Sequence, residues 1–263
     1  MLETTIAELH DLFERSIMAS SIAEPLASLD ADEPPSKILQ FLEKHGFDVV
    51  GIRQDGLVQA YVHRDDLSGA SDTLEAAMPI GAERTVPASG SLLEAVRKAS
   101  ADGFVFVNSL GQPTGIITRA DLNKPPVRMW LFSLVTLLEM EMLRLIRATY
   151  PGEEWRVLLK AQRIKKVEQL FEDRQRRNEY LDLADCLQFC DKKEIICKSP
   201  GLWPLFGESR ENARAFLRDC EQLRNEVVHI QELTGSSWTE AIDLAGRIEA
   251  TLSRLERERS ANS

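Results

Sequence analysis

The stretch Ala60-Tyr61-Val62-His63-Arg64-Asp65-Asp66-Leu67 (AYVHRDDL) returns 55 residues later as Gly115-Ile116-Ile117-Thr118-Arg119-Ala120-Asp121-Leu122 (GIITRADL). The match extends outward at the same offset. Ile38 and Phe41 correspond to Leu93 and Val96, Ile52 to Val107, Gly56 to Gly111, His63 to Thr118, and Asp66-Leu67 to Asp121-Leu122. A fixed period of this kind marks one supersecondary unit used twice. Each copy reads as an amphipathic helix (Ser36 to His45; Ser91 to Ser100), then a short apolar strand (Val49 to Ile52; Phe104 to Val107). A glycine-containing turn follows (Gln54-Asp55-Gly56; Ser109-Leu110-Gly111), then a second strand running into an acidic helix start (Tyr61 to Leu67; Gly115 to Leu122). Asp55-Gly56 is a strong hairpin signal. The fold class expected for this half is α+β, small sheets with helices on one face.

Working outward, residues 1–19 read as a separate amphipathic helix with Ile6, Leu9, Leu12 and Phe13 on one face. Downstream, Asn123-Lys124-Pro125-Pro126 breaks the pattern, because two prolines stop a helix and favour extended backbone. The expected domains are therefore 1–19, 20–124 and 125–263. The net charge of −10 argues against indiscriminate attraction of nucleic acid. It is unevenly placed: residues 1–124 carry 10 basic and 19 acidic side chains, residues 125–263 carry 22 and 23.

The run GIITRADL resembles the closing motif of a CBS domain, and residues 20–124 resemble a tandem pair, a Bateman module. That resemblance implies regulatory binding of an adenine nucleotide (AMP, ADP, ATP or a related adenosyl ligand) in a cleft between the copies. The Thr and Asp of the motif fall on Thr118 and Asp121, and the matching positions of the first copy are His63 and Asp66. A carboxylate can accept from two ribose hydroxyls, and a hydroxyl at a helix start can join backbone N–H groups around phosphate. The first copy departs from the pattern, with Ala60 for the glycine and His63 for the threonine. One competent cleft is expected rather than two, and a bare dimerising scaffold is the alternative.

From Val127 onward the periodicity is helical throughout, and an all-α bundle is expected. Helix one should run from Arg128 to Tyr150. A long polar stretch from Glu153 to about Cys190 should follow as one helix or two. Lys198 to Glu208 reads as a loop, Ser209 to Leu233 as a helix ended by Gly235, and Ser237 with Glu240 as a capping box for the last helix. Cys186, Cys190, Cys197 and Cys220 lack paired zinc spacing and read as free thiols, Cys186 and Cys190 one helical turn apart. Arg156 to Arg177 holds eight basic and three acidic residues. Such a run is either a solvated face or a track for RNA phosphates.

Within the Ser209 helix, Ala213, Phe216, Leu217, Cys220, Leu223, Val227 and Ile230 form the core stripe. Asn225 and His229 lie four apart on the opposite face, and Arg224 flanks the core. Arginine, asparagine and histidine suit RNA cleavage without metal. The ribose 2′-OH is the nucleophile, a histidine moves its proton, and an arginine stabilises the phosphoryl oxygens. The products would be a 2′,3′-cyclic phosphate and a 5′-hydroxyl. One Arg–His set is thin for both acid and base, so a homodimer with paired sites is expected.

The R-x4-H motif of Arg224-Asn225-Glu226-Val227-Val228-His229, late in a helical bundle, resembles that of HEPN domains. This implies a metal-independent endoribonuclease of toxin–antitoxin or antiphage defence, with Arg224, Asn225 and His229 catalytic and an antitoxin or other partner protein. The family sometimes adds an acidic residue from the first helix, where Glu139 and Glu141 lie. The alternative is a non-catalytic, nucleotide-sensing adaptor whose bundle binds a protein or RNA. A metal hydrolase is disfavoured, because His10, His45, His63 and His229 are scattered and no HExxH or HD pair occurs. Trp130 to Leu138 is too short to span a bilayer. With no basic start before an apolar run, the expected place is the cytoplasm, away from membranes.

Overall fold

The computed structural model describes residues 5–177, 181–228 and 235–261. They fall into two compact units. One is built around residues 10–127, the other around residues 128–228 and 240–261 together with residues 5–9. Helix α1 (Ile6–Asp11) is shorter than the N-terminal periodicity predicts. Ile6, Leu9 and Phe13 are buried as expected, but Leu12 is 50% exposed and leaves the stripe.

The first unit carries the repeat. In chain order it contains β1 (Glu24–Pro25), β2 (Ser28–Asp30), α2 (Pro35–His45), β3 (Val49–Gln54), β4 (Leu57–His63), α3 (Thr73–Ala76) and β5 (Met78–Pro79). Then come β6 (Thr85–Pro87), α4 (Leu92–Asp102), β7 (Phe104–Ser109) and β8 (Gln112–Thr118). One sheet has the order β2-β3-β4-β5, the other β1-β8-β7-β6. The hairpins turn on Asp55-Gly56 and Leu110-Gly111, each with both residues at positive φ, the tight geometry that matches strand twist. Register shifts fall at Ile52/Arg53 and Val107/Asn108, again 55 residues apart.

The two copies exchange their leading strands. β1 precedes the first copy but pairs with β8 of the second, Pro25 opposite Gly115. β5 precedes the second copy but pairs with β4 of the first, Pro79 opposite Ala60. Gly115 eases this crossing: a Cβ there would lie 3.1 Å from Glu24 O and 3.3 Å from Val107 Cβ, so the neighbours would have to give way. Ile38 and Leu42 of α2 pack on Val50, Ile52 and Val62 with Leu67, which closes the first copy. Val49, Tyr61 and Phe106 form a second apolar cluster against Phe104 and Ile116, with Tyr61 and Phe106 ring centroids 5.1 Å apart.

Helix α5 (Pro125–Thr149) overturns the expectation of an extended break at the prolines. Lys124 is extended (φ −65°, ψ 150°), and Pro125 opens the helix. A first-turn proline lacks only an N–H that has no intrahelical partner there. The polar stretch that follows is broken into a 3-10 turn (Glu154–Leu158), α6 (Ala161–Gln175), a second 3-10 turn (Leu183–Cys186) and α7 (Phe189–Lys198). Cys186 and Cys190 therefore sit on different elements, not on one helix. None of the four cysteines forms a disulfide. Helix α8 is Arg210–Val228 and α9 is Gly235–Ala261. Ser237 thus lies inside α9 instead of capping it. Ala213, Phe216, Leu217, Cys220, Leu223 and Val227 are buried as the stripe predicts; Ile230 lies outside the described residues. α5 buries Trp130, Leu131, Leu134, Leu138, Met142 and Ile146. Their spacing of three and four is what faces one side of a helix.

Candidate functional site

In the repeat unit a cleft of about 620 Å³ opens among the starts of β3 and β7 and the ends of β4 and β8, a size ordinary for small-ligand sites. His63, Thr118 and Asp121 all line it, together with Phe47, Val49 and Phe104. Asp66 is exposed on the 3-10 turn Arg64–Leu67 and is not among the lining residues. The period that matches His63 to Thr118 therefore brings both into one cleft. Phe47 is 41% exposed, and Phe104 is packed edge-on against Phe106 (centroids 5.4 Å) with the Arg84 guanidinium 5.0 Å over its ring. The motif match gave no sign of these two rings.

The motif residues are turned onto one another. Asp121 Oδ2 accepts from Thr118 N at 2.8 Å and from Thr118 Oγ1 at 2.9 Å, at the start of the 3-10 turn Arg119–Asn123. Asp121 Oδ1 lies 2.9 Å from Lys124 Nζ, and the carboxylate is 8% exposed. Lys124 also donates to Ile22 O at 2.7 Å and pairs with Glu24. Burial alone would depress the Lys124 ammonium, but its hydrogen bonds to Glu24 and Asp121 outweigh it and the net shift is upward. In the first copy, His63 Nδ1 accepts from Asp65 N at 3.3 Å, so the proton of the neutral ring sits on Nε2.

In the helical unit, Arg224 is held from three sides. Its Nε and Nη2 donate to Asn225 Oδ1 at 3.3 and 3.0 Å. Its Nη1 lies 3.8 Å from Glu139 Oε2 on α5, and its guanidinium lies 5.5 Å over the Phe189 ring on α7. Glu139 is shared: Lys192 Nζ donates to its Oε1 at 2.8 Å, with Lys192 only 8% exposed. Glu141 is engaged instead by Arg144. Of the two acidic candidates, Glu139 is the one brought to Arg224. Asn225 is exposed on the face away from the stripe. His229 lies outside the described residues. The end of α8 is capped by Arg128, whose Nη2 donates to Glu226 O at 2.8 Å and Val227 O at 3.0 Å. A cation on the last carbonyls offsets the partial negative charge of a helix C-terminus.

Three arginines of the basic stretch are spent on structure. Arg156 pairs with Glu153 and Glu168, and Arg176 with Glu172 and Asp173. Arg163 grips Asp191 with two bonds of 2.7 Å. Among the described residues no group of three or more His, Cys, Asp or Glu is placed to hold a metal, and no helix is long and apolar enough to cross a membrane.

No family model matches the chain, and no curated protein matches it. Several solved structures are similar to part of it. CBSX2, a CBS-pair protein from Arabidopsis thaliana, is 16% identical with a TM-score of 0.36 over 40% of this chain and 90% of that one. The CBS domain of a bacterial CNNM/CorC-family Mg2+ transporter, in complex with ATP, is 11% identical with a TM-score of 0.38 over 46% and 94%. The CBS domain pair of protein MJ0100, in complex with 5′-methylthioadenosine and S-adenosyl-L-methionine, is 16% identical with a TM-score of 0.36 over 40% and 95%.

Proposed function

We propose that the protein is a metal-independent endoribonuclease whose activity is set by an adenine nucleotide in the cleft of its repeat unit. The observation that carries this reading is the clamp on Arg224. An arginine that serves a transition state must be pre-positioned, and Glu139, Phe189 and Asn225 do this at the end of α8. Asn225 is exposed one helical turn before His229 in the sequence. In this reading His229 takes the 2′-OH proton, Arg224 stabilises the phosphoryl oxygens, and a second copy in a homodimer supplies the histidine that protonates the leaving 5′-oxygen. The exposed Met129, Phe132 and Met140 of α5 offer an apolar stripe for such pairing. In the cleft, Phe47 and Phe104 give an adenine two aromatic surfaces, and Asp121 and Thr118 meet ribose and phosphate.

The test is incubation of the full chain with single-stranded RNA in EDTA, with and without AMP, ADP or ATP, beside His229→Ala and Arg224→Ala. The expected result is fragments ending in 2′,3′-cyclic phosphate, absent from both variants and changed in yield by one nucleotide. Cleavage that survives His229→Ala refutes the reading. A second reading, in which the repeat unit is a dimerising scaffold that binds no nucleotide, is favoured by one observation. Asp121 already has both oxygens engaged by Thr118 and Lys124, a structural use of the motif. Equal nucleotide affinity of the parent chain and Asp121→Ala would remove that carboxylate from the cleft's binding role.

A further inference from the structure

A second hollow, of about 380 Å³, lies in the helical unit along α9, lined by Phe206, Phe216, Arg247, Thr251, Arg254 and Arg257 with Ala250. Its chemistry is one-sided. No carboxylate lines it, and none of the three arginines makes an ion pair among the described residues. In a protein of net charge −10, other arginines of this unit are matched by carboxylates, as Arg147, Arg156, Arg163 and Arg176 show. Three guanidiniums without an ion pair among the described residues, gathered in one hollow, leave their charge available to an incoming anion.

Two of the three are also pre-set. The Arg247 guanidinium lies 4.9 Å over the Phe216 ring, and Arg254 donates to Leu205 O. Neither contact neutralises charge, and both restrict the side chains to the hollow's wall. Along the helix axis, Arg247 to Arg257 spans about 15 Å at 1.5 Å per residue. Cations spread along the helix over that length suit an extended polyanion better than one phosphate.

We propose that the α9 hollow holds the phosphodiester backbone of single-stranded RNA, with Arg247, Arg254 and Arg257 each neutralising a phosphate. The assignment deepens the ribonuclease reading by naming the track on which substrate lies. It also moves the track away from Arg156 to Arg177, where Arg156, Arg163 and Arg176 are already paired. It stands apart from catalysis, since a bundle that binds RNA without cutting it would use the same track.

The experiment uses the full chain carrying His229→Ala, so that the RNA stays intact, and a short fluorescein-labelled single-stranded RNA read by anisotropy over a range of salt. Three further substitutions are compared on that background: Arg247→Ala/Arg254→Ala/Arg257→Ala, the same three to lysine, and Lys160→Ala/Lys165→Ala/Lys166→Ala. Each lost phosphate contact lowers the slope of log affinity against log salt by about 0.7, so the arginine-to-alanine variant should lose about 2 in slope and about 100-fold in affinity at about 0.1 M salt. The lysine replacement should keep most of the slope, and its helix content and melting temperature check that the fold is intact. No RNA binding by the parent, an unchanged slope in the alanine variant, or an equal loss in the Lys160/Lys165/Lys166 variant overturns the proposal. RNA that binds at α9 but is never cut by the chain with His229 restored refutes the ribonuclease reading alone.

Discussion

Replacing Glu139 by glutamine should destabilise the helical unit and loosen Arg224 together. Glu139 is 24% exposed and holds two cations, Lys192 at 2.8 Å and Arg224 at 3.8 Å. Lys192 is 8% exposed, and Glu139 is its one carboxylate within ion-pair distance among the described residues. Removing one partner of a fully buried pair costs about 3–5 kcal/mol, because the remaining charge is left unpaired away from water. Here the carboxylate is partly hydrated, and glutamine keeps a carbonyl for Lys192, so about 2 kcal/mol is expected. For a unit of this size that is a fall of about 4–8 °C in the melting transition. A cycle with Lys192→Met separates pair from packing. The double variant should recover at least about 1 kcal/mol over the sum of the singles, since it removes the buried charge along with its partner. Urea titrations followed by far-ultraviolet circular dichroism give the values. Glu139→Gln within about 0.5 kcal/mol of the parent, or additive singles, would refute the buried-pair argument.

Three other outcomes follow from named contacts. Gly115→Val should weaken the pairing of β1 with β8, since a Cβ meets Glu24 O at 3.1 Å and Val107 Cβ at 3.3 Å. A loss of about 1–3 kcal/mol in chemical denaturation is expected, and a neutral result would contradict the close crossing. Arg128→Ala should fray the end of α8 by removing the bonds to Glu226 O and Val227 O. Faster amide exchange confined to the last turn, at a cost of about 1–3 kcal/mol, is the readout. For Glu194, burial raises the carboxyl pKa, but Lys198 and Arg214 outweigh burial and hold it below its usual 4.5. A depressed pKa contributes stability above the unfolded value and loses it as pH falls through the folded one. Melting temperature should therefore drop on acidification below about pH 4.5, and Glu194→Gln should flatten that limb.

The repeat was legible because its signals are local. Period, hairpin turn and helix face all depend on neighbours within a few residues, and the register shifts at Ile52 and Val107 kept the offset of 55. The strand exchange was not legible, because Glu24-Pro25 and Met78-Pro79 are two-residue strands whose partners lie far along the chain. Pro125 misled for a different reason. Proline both ends and opens helices, and which it does depends on the backbone before it; extended Lys124 decides for opening. At the candidate sites the sequence pointed to Thr118, Asp121 and Arg224. It left Glu139 and Glu141 equal, and gave no hint of Phe47, Phe104 or Phe189. Long-range apposition, not residue type, selects among those.

The arginines of the helical unit sort by what they face, and that sorting connects the two proposals. Arg163 on buried Asp191 is committed, because drawing it away would strand a carboxylate that is 1% exposed. Arg247, Arg254 and Arg257 lie at the other extreme, with no carboxylate to release among the described residues. Arg224 stands between. Its bonds to Asn225 are to a neutral amide, and its carboxylate is nearer to Lys192 than to Arg224 itself. A phosphate approaching Arg224 would therefore leave Glu139 still satisfied by Lys192. The geometry holds this guanidinium in place without neutralising it fully, and that combination is what the proposed role of receiving an incoming phosphate requires.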